Sequence, residues 1–277
     1  MKPAGILTLI LALSLAACGA SKARDAELIV FAAASMQETL TEIGENYHKE
    51  RPDITLVFNF DSSGTLKTQI EEGAECDIFI SAGQKQMNEL DAASAPAVSA
   101  GAPGESGDEE LDFIASSTRF NLLENKVALA VPEGNPRGVE TFDQLAELLE
   151  SGGVLLAMGN SDVPAGQYAQ KIFAYYGLDE EALAASGVLT YGSNVKEVAT
   201  QVSEGTVDCG VIYATDAFSA GLEIVDTAAA DMCGQVIYPA AALKESRRPE
   251  EAQAFLDYLR TPEAGAVLEA VGFTPLG

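Results

Sequence analysis

Leu28-Ile29-Val30-Phe31-Ala32-Ala33-Ala34, closed at once by Ser35, is the stretch on which the reading of the fold turns. A short unbroken apolar run of this kind suits a strand buried on both faces. Residues 36–50 then read as an amphipathic helix. The same pattern continues outward. Residues 54–60 are β-rich and end in Asp61-Ser62-Ser63-Gly64, which leads to a helix near 66–72; residues 77–81 read as another strand, followed by a helix near 85–93. Strands alternating with helices predict parallel sheets in an α/β protein.

The alternation breaks at residues 94–112, which are rich in Ala, Pro, Gly, Ser and acid and read as an exposed loop. It resumes with strands at 127–131, 154–158 and 207–213 and further strands at 222–225 and 236–238. Helices are predicted at 142–150, 164–176, 194–204, 249–260 and 262–271. The last two have Pro near their starts, where its missing N–H costs little.

Composition narrows the function. The chain has 277 residues, enough for about two domains. Its 47% hydrophobic and 21% charged content excludes general disorder. Lys and Arg number 16 against 42 Asp and Glu, a formal net charge of −26, which excludes a basic nucleic-acid-binding surface. With one His and four Cys there is little material for a His-rich metal site, and no direct protein–cation ligands are expected. A His-based triad would have to use His48, which beside Lys49 and Arg51 reads as a surface residue favourable to a helix C-terminus. There is neither a Gly-x-Ser-x-Gly elbow nor a Walker loop. Tyr175-Tyr176 suggests an iron-binding pair at first sight, but lies on a predicted helix and reads as packing.

At the amino terminus, Lys2 precedes an apolar run at 6–17 that is too short to span a bilayer. The run ends in Leu15-Ala16-Ala17-Cys18-Gly19, which resembles a bacterial lipobox. That resemblance implies cleavage before Cys18 and lipidation of its sulfur; the alternative is an ordinary secretory signal. Export permits disulfides. Apart from Cys18, the chain has Cys76, Cys209 and Cys233. Cys209 and Cys233 each begin an apolar run and would bridge if those runs were neighbours; the alternative is buried free thiols.

Four strand-to-helix junctions carry small polar or backbone-exposing residues: Ser35, Ser63, Ala165 in Val163-Pro164-Ala165-Gly166, and Val195 after Ser193-Asn194. The first N–H groups of a helix lack intrahelical partners and attract anions. In open α/β sheets ligands sit beyond the carboxyl ends of the strands. Each junction alone is equally an ordinary cap or turn. Together, facing one cleft, they would bind an oxyanion without Lys or Arg.

From Leu28 onward the chain resembles the molybdate-binding proteins of ABC importers. The resemblance is carried by Val30-Phe31-Ala32-Ala33-Ala34-Ser35, Phe60-Asp61-Ser62-Ser63-Gly64-Thr65 and Cys76-Asp77-Ile78-Phe79-Ile80-Ser81-Ala82. Further on it rests on Val163-Pro164-Ala165-Gly166-Gln167-Tyr168-Ala169, Gly210-Val211-Ile212-Tyr213-Ala214-Thr215-Asp216-Ala217, Tyr238-Pro239-Ala240 and Gly272-Phe273. It implies a two-lobed periplasmic-binding-protein-like α/β fold of type II, each lobe a mostly parallel sheet flanked by helices, with the ligand between lobes. The expected divisions are a signal peptide (1–17), a lipidated tether (18–26), a first lobe (27–112 plus 237–277) and a second lobe (113–236). The resemblance further implies hydroxyl donors at Ser35 and Ser63, backbone N–H donors at Ala165 and Val195, and a phenolic donor at Tyr213. Asp61 departs from the family's usual small neutral residue, and its carboxylate would have to point away from a dianion.

The implied role is capture of molybdate, with tungstate, and delivery to an ABC permease and its ATPase. The receptor would be monomeric and lipid-anchored on the outer face of the cytoplasmic membrane, and would need no cofactor. Neutral donors suit a fully deprotonated dianion. A protonated anion would bring a donor that a donor-only pocket cannot satisfy, at about 1–3 kcal/mol. The alternatives are a receptor for another oxyanion such as sulfate, or an exported hydrolase using acidic residues.

Overall fold

β1 (Ala26–Ala33) lies inside a sheet that is covered on both faces, which accounts for its unbroken apolar run. Leu28, Val30 and Ala32 face one layer, where Met36, Leu40 and Ile43 pack; Phe31 faces the other, with Leu66, Ile70 and Phe79. The computed structural model describes residues 26–94 and 111–276. Cys18, the signal segment and all but the ends of the 94–112 loop lie outside the described residues.

After β1 come α1 (Gln37–Glu50), β2 (Ile54–Asp61), α2 (Ser63–Glu71), β3 (Ile78–Ile80), α3 (Gln84–Glu89) and β4 (Phe120–Asn125). The chain then crosses into β5 (Val127–Val131), α4 (Phe142–Ser151), β6 (Leu156–Gly159), α5 (Pro164–Tyr176), α6 (Glu180–Ser186) and β7 (Leu189–Gly192). It continues through α7 (Val195–Ser203), β8 (Cys209–Tyr213), α8 (Ala214–Ser219), β9 (Glu223–Thr227) and α9 (Ala230–Cys233). It returns as β10 (Val236–Ala242), α10 (Pro249–Tyr258), α11 (Pro262–Ala270) and β11 (Thr274–Pro275).

The strands form two sheets, ordered β11-β4-β10-β3-β1-β2 and β7-β6-β8-β5-β9. This is the expected two-lobed α/β architecture, but the sheets are mixed rather than mostly parallel. β1 runs parallel to β2 and β3, and β6 to β7 and β8, as helical crossovers require. β10 is antiparallel to both β3 and β4, and β5 is antiparallel to β8 and β9, because these strands carry the chain between lobes.

The boundary between lobes also moves. β4 belongs to the first sheet, paired with β10 and β11, so residues 113–125 do not start the second lobe. The crossing falls at Lys126, between β4 and β5. Helix α1 is sealed from outside by the C-terminal segment: the Tyr47 ring lies 5.1 Å from Phe255 and 4.9 Å from Tyr258.

The Cys209–Cys233 bridge does not form. Cys76, Cys209 and Cys233 are all free and buried. Cys209 opens β8 opposite Leu156, whereas Cys233 ends α9, its thiol donating to the Gly234 carbonyl at 3.6 Å. Each behaves as a small core residue. His48 is exposed on the last turn of α1, one ring nitrogen 3.1 Å from the Ile54 carbonyl, away from the cleft. Tyr176 donates to Asp143 at 2.7 Å, and no cluster of three potential metal ligands exists among the described residues. None of the described helices is long and apolar enough to cross a membrane.

Candidate functional site

Between the two sheets lies one pocket whose wall contains Ser35, Ser63, Ala165, Val195 and Tyr213, together with Asp61, Ala82 and Pro164. All five residues singled out in the sequence therefore meet. They come from four strand-to-helix junctions and the end of β8, and no Lys or Arg lines the wall.

The serines do not serve as helix caps. At α2 the cap is Ser62, whose side chain accepts from Thr65 N–H at 3.1 Å. Ser63, fully buried, instead accepts the N–H of Ala82 at 2.9 Å. A hydroxyl has one proton, and this contact leaves that of Ser63 free to donate into the pocket. Ser35 lies in a 3-10 turn whose caps use no side chain. Its oxygen is 3.0 Å from the Tyr238 hydroxyl, which lies 3.2 Å from the Asn125 amide nitrogen. The same nitrogen also donates to Thr215 at 2.9 Å. Asn125 donates to Tyr238, either hydroxyl can donate in the Ser35–Tyr238 contact, and when Tyr238 donates the Ser35 proton is free for the pocket. Chains of neutral hydrogen bonds of this sort polarise one another.

Backbone donors complete the set. α5 starts with Pro164, so the first free N–H of the helix belongs to Ala165. At α7, the Asn194 side chain caps Glu197 N–H at 3.1 Å and leaves the N–H of the buried Val195 at the start of the helix dipole. Tyr213 stands in the wall, but its hydroxyl donates across the cleft to the Ala82 carbonyl at 3.1 Å. Its proton is therefore committed to an interlobe contact in this arrangement. Asp61 does not point fully outward: it lines the wall, and its Oδ1 accepts from Ser62 N–H at 2.7 Å and from the Asn194 amide at 3.5 Å across the cleft. Those donors draw off part of the charge that a dianion would meet.

Burial pushes the Tyr213 and Tyr238 phenols well above their ordinary range, so both keep their protons. Tyr238 and Asn125 were not assigned roles from the sequence. The Tyr238-Pro239-Ala240 segment marked the place, but only the insertion of β10 between β3 and β4 shows that its hydroxyl reaches Ser35.

Asp216, behind the two phenols, is buried, and its carboxyl is pushed up to about 6, first by burial, with Lys196 pulling it down and Glu38 pushing it up. The folded protein holds this proton more tightly than an unfolded chain titrating near 3.8. Stability from this group is complete below the unfolded value and is lost as pH rises through about 6, on the order of 2–3 kcal/mol in all. Asp216→Asn is expected to flatten that part of the thermal-midpoint profile; an unchanged slope across it removes Asp216 as the cause.

Known proteins share the sequence pattern and the fold. Residues 28–274 match the family model described as bacterial extracellular solute-binding protein. The chain is 34% identical over 249 residues to YvgL of Bacillus subtilis, whose name describes an ABC transporter substrate-binding lipoprotein; the match covers 89% of this chain and 86% of that one. It is 32% identical over 266 residues, 95% of each chain, to the molybdate-binding protein ModA of Escherichia coli. A solved periplasmic molybdate-binding protein from Azotobacter vinelandii shares the fold, with a TM-score of 0.72 at 21% identity, covering 90% of this chain and 100% of that one.

Proposed function

The chain belongs to the bacterial extracellular solute-binding protein family, and from that premise we propose that it captures molybdate between its two lobes and hands it to an ABC importer. The observation that carries this reading is the convergence of Ser35, Ser63, Ala165, Val195 and Tyr213 on one pocket wall that has no cation in it. Such a wall suits a tetrahedral dianion that brings acceptors and no proton. The hydroxyls of Ser35 and Ser63 bind from the first lobe. The N–H groups of Ala165 and Val195, each at a helix start, bind from the second. Tyr213 turns its proton from Ala82 toward the ligand. No bond is made or broken, and the work is done by replacing the anion's water shell with oriented donors.

Tungstate has the same shape and charge and is bound as well. Sulfate is smaller, and its donors would be stretched. The receptor acts as a monomer, tethered through lipid on Cys18 to the outer face of the cytoplasmic membrane, and needs no cofactor. Lobe closure is favoured only by as much as the anion prefers the closed form, and the loaded closed form is what a permease and its ATPase receive.

Thermal melting with sodium molybdate, tungstate, sulfate and phosphate tests the reading. A ligand present at about 100 times its Kd contributes about 2.7 kcal/mol, expected here as a midpoint rise of roughly 5–10 °C. Molybdate and tungstate should give it and phosphate should not. A midpoint raised by sulfate but unmoved by molybdate overturns the assignment in favour of a sulfate receptor.

A further inference from the structure

Lys196 follows Val195 at the start of α7, and its ammonium is shared between the lobes. Its Nζ lies 2.7 Å from Glu38 Oε2, on α1 of the first lobe, and 3.4 Å from Asp216 Oδ1, on α8 of its own lobe. Asp216 has no exposed side-chain surface, and neither of its oxygens accepts a hydrogen bond among the described residues. Lys196 and Glu38 retain 27% and 56% side-chain exposure. Lys196 is not in the pocket wall.

We propose that Lys196 is a positioning residue for anion capture: Asp216 holds its side chain from within the second lobe, Glu38 closes onto it from the first, and the bridge seats the start of α7 with Val195 against the pocket. The proposal rests on the oxyanion reading of the cleft.

The burial of Asp216 is the reason for this arrangement. Among the described residues its carboxylate has one cation within 4.0 Å, Lys196, and removing the partner of a buried charge is strongly destabilising. Lys196 is therefore kept near Asp216 whether the lobes are together or apart. An ordinary exposed lysine must give up much of its rotamer freedom to form an ion pair. Lys196 has already lost that freedom, so the approach of Glu38 forfeits less entropy, the usual advantage of preorganisation. The Lys196–Glu38 contact joins residues of different lobes and exists only when the lobes meet. It therefore weights the closed form without touching the ligand. It also keeps Lys196 from serving as an anion ligand: its charge is already faced by two carboxylates.

The test uses the full chain, sodium molybdate, and the variants Glu38→Gln, Lys196→Arg and Lys196→Met, by calorimetry and stopped flow. Glu38→Gln is expected to weaken affinity about two- to fivefold, mainly through faster release, and the difference should shrink as added salt screens the half-exposed pair. Lys196→Arg should stay within about twofold of wild type, because guanidinium can still bridge both carboxylates. Lys196→Met should bind more weakly than Glu38→Gln. If Lys196→Met does not fold, Lys196→Met combined with Asp216→Asn removes the stranded charge and takes its place. Wild-type affinity and release in Glu38→Gln at low salt overturn the proposal, as does a Lys196→Arg protein as impaired as Lys196→Met. Failure of the wild type itself to bind molybdate overturns the oxyanion reading instead. The bridge is then judged by small-angle scattering of ligand-free protein, where Glu38→Gln should be more expanded than wild type and equal dimensions overturn it.

Discussion

Gly64→Ala is expected to weaken molybdate binding about ten- to hundredfold while leaving the ligand-free protein folded. Gly64 lies in the first turn of α2 in the first lobe, and a Cβ there would meet the Asp162 carbonyl oxygen of the second lobe at 2.2 Å. The carbonyl carbon and Cβ of Asp162 follow at 2.9 and 3.0 Å. All three belong to the loop before Pro164, so the clash is met only when the lobes close, and the obstacle is backbone that cannot rotate aside. To accept a methyl group the lobes must part by roughly an ångström, which stretches every donor contact from the second lobe at once. The substitution does not strain the first lobe itself, since alanine in a helix is favoured over glycine by about 1 kcal/mol. The check is calorimetric affinity beside the ligand-free melting midpoint. Unchanged affinity would show that the Asp162 loop yields, and that closure is less tight than the contact implies.

Ser63→Ala is the second large effect, and it has two separable parts. The pocket loses a hydroxyl donor to a charged ligand, about 1.5–3 kcal/mol, or roughly ten- to hundredfold in affinity. The Ala82 N–H, now accepted by Ser63 at 2.9 Å, is left buried without a partner, which costs about 1–3 kcal/mol of stability. Ser62→Ala is the natural comparison. It removes the cap on Thr65 N–H, costing about 1 kcal/mol of stability, with a smaller effect on affinity. If the two variants lose the same affinity, Ser63 is not a donor and the free-proton argument falls with it.

The contrast between these adjacent serines shows what the sequence could and could not convey. A serine at a strand-to-helix junction can cap the helix or face a ligand, and the one-dimensional pattern is the same for both. The junctions themselves were legible, because a strand's apolar run and a helix's spacing are local signals, and the carboxyl ends of parallel strands lie together at one edge of a sheet. Ser35, Ser63, Ala165 and Val195 could be picked out for that reason. The division of labour between Ser62 and Ser63 depends on Ala82, which β3 brings alongside. Tyr238 and Asn125 were beyond reach for a similar reason: they lie 113 residues apart in sequence and meet only because β10 enters the middle of the first sheet.

β4 was missed because Phe120-Asn121-Leu122-Leu123-Glu124-Asn125 has neither an alternating nor a long apolar pattern. Its pairing with β10 and β11 supplies what its local propensity does not. Between a Cys209–Cys233 bridge and buried free thiols the structure decides for the thiols, because two like local signals have different neighbours in the fold. Nothing local in the sequence ties Lys196 to Glu38 and Asp216; the burial of Asp216 is a property of how the chain packs around α8.

The placement of β10 has a bearing on how the molecule is made. Every strand of the second sheet lies between Val127 and Thr227, an uninterrupted length of chain that can assemble as soon as it is available. The first sheet has no such independence, since its interior strand arrives only at Val236–Ala242. A chain emerging amino end first would thus finish its later-encoded half before its earlier one. β3 and β4 would wait with unpaired edges until the carboxyl-terminal stretch slotted between them. A protein of this design is most exposed to misassembly during that interval, and termination between β9 and β10 would yield a second sheet with all its strands, joined to a half-built first one.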